Sequence, residues 1–309
     1  MSTLLVTHSA CLEHLTPLGH LERPDRLRAI ERVLEHERFA TLARERAPRA
    51  APETIALCHP PEYIEQIRDA VPAEGLVRLD ADTSMSSGSF EAAARAVGGA
   101  ALAVDEVMSK KAANAFVAIR PPGHHAEPAV PMGFCLFNNA AIAARYAQRR
   151  HGAERTAIVD FDVHHGNGSQ AIFWADPTVM YCSTHEMPLY PGTGSISERG
   201  EHDNIVNAPL RAGDGGVEFR EALETAILPR LREFRPDLVV ISAGFDAHMR
   251  DPLANLNFSE ADFGWATRKI MEVADASAEG RVVSVLEGGY DLEGLARSVA
   301  AHVSALMRV

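Results

Sequence analysis

The sequence predicts an α/β fold with a mostly parallel sheet covered by helices on both faces, and three observations predict it. Short apolar, β-branched runs alternate with segments of helical periodicity along the 309 residues. That alternation describes strands buried on both faces by crossover helices. Five of the runs end in a cluster of Gly, His, Asp or Tyr. A hydrophobic content of 46% supplies a core large enough to need no staples.

The strand runs are residues 115–119, 156–160, 179–183, 238–242 and 282–286. The first leads into RPPGHHA (120–126), the second into FDVHHGNG (161–168) and the third into THEMPLYPGTG (184–194). The fourth leads into AGFDAH (243–248) and the fifth into EGGYD (287–291). Between and after them, Phe219, Leu223, Ile227, Leu231 and Phe234 recur at helical spacing. Ser259 with Asp262 forms a capping box ahead of another helix, and Leu292, Leu295, Val299 and Val303 mark the last one. No repeat or low-complexity tract interrupts the pattern, which predicts one domain over 1–309. Ligands of open parallel sheets bind beyond the carboxyl ends of the strands, so the five polar clusters should converge on one site.

The net charge of −12 is spread along the chain, which argues against direct contact with a nucleic-acid backbone. Cys11, Cys58, Cys135 and Cys182 form neither a CxxC pair nor a framework, as expected in a reducing compartment. The start MSTLLVTHSA lacks the basic segment and apolar length of a signal peptide, and no apolar stretch reaches a membrane span. A cytoplasmic location is the expectation, and the sequence leaves an oligomer open.

The chemistry-bearing residues lie in the five clusters. Asp162 and His164 stand two apart at a strand end, so their side chains point the same way. An Asp-x-His pair alone is weak evidence; one that follows a buried strand beside Gly166 and Gly168 points to a metal ligand pair. Asp246, just past another strand, is the best third ligand. Two carboxylates and one imidazole neutralise a divalent ion and leave a position open for water. His124 and His125 follow Gly123 in a tight turn aimed at that loop and offer a base near neutral pH. Tyr290 after Gly288-Gly289 offers a phenol to a developing oxyanion.

RPPGHHA, GFCLFNNAAIAA (133–144), VDFDVHHGNGSQ (159–170), STHEMPLYPGTG (183–194), SAGFDAH (242–248) and LEGGYD (286–291) resemble the motif series of histone deacetylases. HLERPDRL (20–27) and HPPEYIEQI (59–67) resemble that family's N-terminal motifs, so the likeness covers nearly the whole chain. The resemblance implies the arginase/deacetylase fold with an eight-stranded sheet. It implies zinc on Asp162, His164 and Asp246, His125 as general base and acid, His124 as its electrostatic partner and Tyr290 as carbonyl-polarising donor. Asp160 and Asn167 match the groups behind His124 and His125. Asp160, Asp162 and His164, with Ser183 and Thr184, match a structural potassium site, and Phe173, Asp176 and Val179 a second one. Gly133, Phe134, Tyr190, Leu253 and Gly289 fall where the acetyl-lysine tunnel is lined.

Asn167 stands where one branch of the family carries Asp, which resembles the class II branch and its bacterial amidohydrolase relatives. A neutral amide supports an imidazolium less than a carboxylate does, so His125 should be less basic. The expected substrate is an acetylated lysine peptide or a small acetylated amine. Polyamine-selective members carry an acidic gatekeeper where this chain has Leu253, which favours acyl-lysine. Asp80 and Asp82 are left as rim contacts or solvated loop charges. A two-manganese, arginase-like enzyme needs an extra carboxylate where Ala247 and His248 stand, and a binding module would have lost His125 or Tyr290.

Overall fold

The computed structural model describes residues 2–309. Among these residues ten strands are formed: β1 (Thr3–Thr7), β2 (Ala43–Arg46), β3 (Leu76–Arg78), β4 (Ser84–Ser86), β5 (Asn114–Val117), β6 (Thr156–Asp160), β7 (Val179–Glu186), β8 (Ile205–Leu210), β9 (Leu238–Ala243) and β10 (Val282–Leu286). Eight make one sheet in the order β2-β1-β5-β10-β9-β6-β7-β8, every neighbouring pair parallel. β3 and β4 form a separate antiparallel hairpin. The helices are α1 (Asp25–Leu34), α2 (Pro52–Ile55), α3 (Pro61–Asp69), α4 (Ser89–Met108), α5 (Asn139–His151), α6 (Asn167–Phe173), α7 (Gly216–Ala222), α8 (Leu228–Phe234), α9 (Glu260–Ser277) and α10 (Leu292–Met307). α4 and α5 pack on each other and on the sheet, while α1, α10, α9 and α8 form a second packed set.

β6 and β10 are buried at every position, as double-sided coverage requires. α5 starts where Asn138 Oδ1 accepts the Ala141 N–H at 2.9 Å. It ends at Gly152, whose φ of 71° suits a residue without Cβ. Before α9, Asp262 Oδ2 accepts both the Ser259 N–H (2.9 Å) and its hydroxyl (2.7 Å). The periodic segment from Phe219 to Phe234 is one helical path, but Leu223–Ile227 widens into a π turn between α7 and α8. Pro229 lacks the N–H that a regular ladder needs there, and the wider turn absorbs the gap.

The site's position follows from the sheet. The five strands that carry polar clusters are neighbours, β5-β10-β9-β6-β7. Asp160 pairs level with Ser183 and Ser242, and Leu286 with Ala243, so the strands end at one height. β5 stops at Val117, two residues earlier than the sequence pattern predicts, and β7 runs on to Glu186 because β8 pairs with it. Among the described residues no helix is long and apolar enough to cross a membrane, and all four cysteines are free.

Candidate active site

Beyond β6 the chain turns by bonding to its own acids. The Asp162 N–H reaches Asp160 Oδ1 at 3.1 Å and the His164 N–H reaches Asp162 Oδ1 at 2.9 Å. The Val163 N–H donates to Asp246 Oδ1 at 2.9 Å, tying this loop to the one after β9. One ligand atom each from Asp162, His164 and Asp246 lies within 4.8 Å of the others. His164 Nδ1 is 3.2 Å from Asp162 Oδ1 and 3.2 Å from Asp246 Oδ2. Tetrahedral zinc bonds of about 2.0–2.1 Å set donor atoms roughly 3.3 Å apart, so the set fits that ion. Asp246 Oδ2 is buried without a hydrogen-bond partner. A Cβ on Gly288 would overlap that oxygen, so a glycine is required there. Burial lowers the His164 pKa, but the Asp162 and Asp246 carboxylates beside the ring, the first accepting a hydrogen bond from it, raise it to about 10. An imidazole caught between two carboxylates is a proton site that a divalent cation would take over.

The histidine pair sits on the loop after β5. Glu287 Oε2 accepts the Gly123 N–H at 2.7 Å and the His124 N–H at 3.2 Å, pinning the turn. His124 Nδ1 bonds Asp160 Oδ2 at 2.9 Å, and His125 Nδ1 bonds Asn167 Oδ1 at 2.8 Å. The Asn167 amide nitrogen donates to Glu127 Oε1 at 2.9 Å. Its oxygen is therefore the acceptor, His125 Nδ1 carries the proton, and Nε2 is left to accept. Burial lowers the His124 pKa, but the charges of Asp160 and Asp162 overcome it and raise it to about 10. Burial, then the charges of His124 and His164, hold His125 well below its ordinary value. One ring is a cation and its neighbour is neutral.

His125, His164 and Tyr290 all open into one cavity of about 230 Å3, walled by Phe134, Leu189 and Tyr190 and rimmed by Asp82 and Leu253. Phe134 adopts a φ of 69°, strain of the kind that collects at ligand sites. The Asp82 carboxylate accepts the Gly133 N–H and the Thr83 hydroxyl accepts the Phe134 N–H, each at 3.1 Å. Gly133 is left-handed, and a Cβ there would overlap the His125 ring. Phe134 meets Tyr290 edge-on with ring centroids 5.9 Å apart. Burial, opposed by Arg26, pushes the Tyr290 phenol well above its ordinary pKa, so it stays a donor.

The structure thus brings His124, His125, Asp160, Asp162, His164, Asn167, Asp246 and Tyr290 into one cluster. Gly133, Phe134, Tyr190 and Leu253 line the cavity, whereas Gly289 stands behind Tyr290 against Phe245 and Leu295. With φ 117° Gly289 adopts a backbone conformation that residues with a Cβ rarely take. Asp82 is a cavity residue and not a solvated charge. Thr184 Oγ1 is buried without a partner beside the end of β6. The carbonyls of Phe173, Asp176 and Val179 do converge, but on Asn204 Nδ2 at 2.8, 3.0 and 3.0 Å, so a cation there requires that amide to move. Sequence reading assigned no role to Glu287, Asp251, Tyr181 or the Glu22–Arg26–Arg120 network. Glu22 is fully buried between the two arginines, which hold its carboxyl down at about 2 despite burial.

The histone deacetylase domain profile matches residues 20–306. An uncharacterised protein of Synechocystis sp. is 43% identical over 302 residues, 96% of each chain. The histone deacetylase-like amidohydrolase of Pseudomonas aeruginosa is 40% identical, over 88% of this chain and 73% of that one. The crystal structure of the HDA15 HD domain superposes with a TM-score of 0.93 at 34% identity, over 99% of this chain and 88% of that one.

Proposed function

The chain belongs to the histone deacetylase family and is a hydrolytic deacetylase, and from that premise we propose that it is a zinc-dependent amidohydrolase acting on acetyl-lysine or a related acylated amine. The observation that carries the reading is the single cavity lined by a neutral His125, a protonated Tyr290 and His164, the last grouped with the buried Asp162 and Asp246. Asp162, His164 and Asp246 would hold the zinc. When bound, such an ion polarises the substrate carbonyl and makes water acidic near neutral pH.

The chain's own residues do the rest. His125 Nε2 takes the proton of the attacking water and returns it to the leaving amine as the C–N bond breaks. The Tyr290 hydroxyl donates to the oxyanion that develops on the carbonyl oxygen. The cationic His124, fixed by Asp160, keeps positive charge beside that centre. Phe134 and Tyr190 exclude water from an aliphatic chain between them. Asp160, Asp162 and His164 with Ser183 and Thr184 are proposed as a potassium site, which the unpartnered Thr184 hydroxyl supports. The second cation site is the weaker half of that proposal, because Asn204 already serves its carbonyls. A cytoplasmic location goes with the free cysteines.

Asp82 at the rim favours a second reading, in which an acylated polyamine is the substrate. A panel of acetyl-lysine peptides against N-acetylputrescine and N-acetylspermidine, with metal content measured, decides. One equivalent of zinc and higher kcat/KM on peptides is expected. Two equivalents of manganese, or no amide hydrolysis at all, overturns the proposal, and a preference for acetylspermidine moves it to the second reading.

A further inference from the structure

The LEGGYD segment reaches the site through two consecutive glycines, Gly288 and Gly289, and the second has φ 117°. Glycines give the backbone no side chain by which packing could fix its path. Where Tyr290 points therefore depends on the hydrogen bonds along this short stretch, within which the Gly288 carbonyl accepts the Phe245 N–H at 3.0 Å and the Gly289 carbonyl accepts the Arg26 Nε–H at 2.6 Å. At one end the Gly288 N–H donates to Asp162 Oδ2 at 2.8 Å. At the other the Tyr290 N–H donates to Asp251 Oδ2 at 2.7 Å, and the same oxygen accepts the Asp291 N–H at 3.3 Å.

Asp251 is 8% exposed and belongs to the loop after β9 that also carries Asp246. Its own N–H is bonded to the His248 carbonyl at 2.8 Å. Its second oxygen, Oδ1, accepts the N–H of Leu253, the cavity-rim residue, at 3.0 Å. One carboxylate thus joins the loop of the third candidate ligand to the tyrosine backbone and to the rim. We propose that Asp251 is a positioning residue for Tyr290, setting the phenol's place over the reacting carbonyl through the tyrosine's backbone N–H. The proposal rests on the functional reading above, in which Tyr290 is the oxyanion donor. An aspartate that only closed its local turn would need Leu253 and nothing from residues 290 and 291.

The test is a double-mutant cycle on the zinc-loaded full chain with an acetyl-lysine peptide. Asp251→Asn keeps the shape and one acceptor oxygen but presents an amide where two sets of N–H groups converge. Its kcat falls about 10- to 100-fold, the loss expected when a reacting group is misplaced by about 1 Å, while KM and the single equivalent of metal are kept. In a Tyr290→Phe background the same change costs no more than about 3-fold further, because the hydroxyl through which Asp251 acts is gone. Losses that multiply in the double variant, or loss of metal from Asp251→Asn, overturn the proposal. Asp251→Glu, which keeps the charge and displaces it by one methylene, gives the same pattern and serves if the Asn variant does not fold. If the wild type hydrolyses no acyl amide, the functional reading falls on its own. The cycle is then read in the affinity of the zinc-loaded protein for acetohydroxamate: Tyr290→Phe and Asp251→Asn each weaken binding and the double variant binds no more weakly than Tyr290→Phe, and unchanged affinity in Asp251→Asn overturns the assignment.

Discussion

Two imidazoles with centroids 4.0 Å apart differ in charge because their partners differ. His124 faces a carboxylate and His125 faces an amide whose other end is spoken for by Glu127. Only the neutral ring can take a proton, so His125→Ala removes the base while His124→Ala removes a neighbouring charge. We expect the first to cost more in kcat than the second. Tyr290→Phe should keep fold and metal and lower kcat by about 10²–10³, as for a lost oxyanion donor. Steady-state kinetics with metal analysis checks all three, and near-normal turnover in Tyr290→Phe would show the phenol to be structural. At the rim, Leu253 faces the same cavity as Asp82. A second carboxylate there, about 4 Å from a substrate ammonium, gains roughly 1–4 kcal/mol depending on solvent exposure. Leu253→Glu should therefore shift the kcat/KM ratio towards acetylpolyamines, with a gain that added salt reduces. An unchanged ratio in low salt would leave Leu253 as packing alone.

At the scale of elements, α9 shows how local chemistry fixes a boundary that the core depends on. Asp262 caps its first turn through two bonds from Ser259 and also pairs with Arg220 of α7 at 2.8 Å. Asp262→Ala should lower unfolding free energy by about 1–2 kcal/mol, read as a shifted denaturation midpoint at unchanged slope, and a change below about 0.3 kcal/mol would mean that solvent replaces the cap. This cap was legible in the sequence, as were β6 and β10 to the residue, because each rests on short-range pattern. β2, ARER, was not legible: an edge strand with exposed side chains has no apolar signal, and it is identified by pairing with β1. The five polar clusters were legible as strand ends, and parallel register then brings them together. Asp251 and Glu287 were not, because their partners are backbone N–H groups more than 35 residues away in sequence, and one-dimensional spacing carries no trace of such bonds.

Over the whole molecule, burial of neutral histidines outside the metal-ligand set couples stability to pH. His14 (about 4), His59 (about 4) and His302 (about 3) all sit well below the ordinary 6.5, in each case first because burial disfavours the charged ring. His302 lies among Phe116, Phe161 and Phe245 and bonds the Thr267 hydroxyl at 2.6 Å and the Ser284 hydroxyl at 2.8 Å. The unfolded chain protonates these rings near pH 6.5, whereas the folded chain resists until about pH 4 or below. Between those values the unfolded state holds more protons, so stability rises with pH and is lost on acidification. Above pH 6.5 neither state is protonated and the contribution is complete. Each ring contributes a slope of up to about 1.4 kcal/mol per pH unit within that window. Chemical denaturation at pH 7.0, 6.0 and 5.0 should therefore show a steep fall in unfolding free energy. His302→Gln, which keeps hydrogen-bonding capacity but cannot titrate, should flatten that fall by close to one proton. The variant's lower stability at pH 7 does not enter the comparison, since the quantity read is the slope. An unaltered slope in His302→Gln would mean that the folded chain already admits a proton there, and that the fall between pH 7 and 5 comes from His14 and His59, since Glu22, held at about 2, loses its contribution only below its ordinary 4.5.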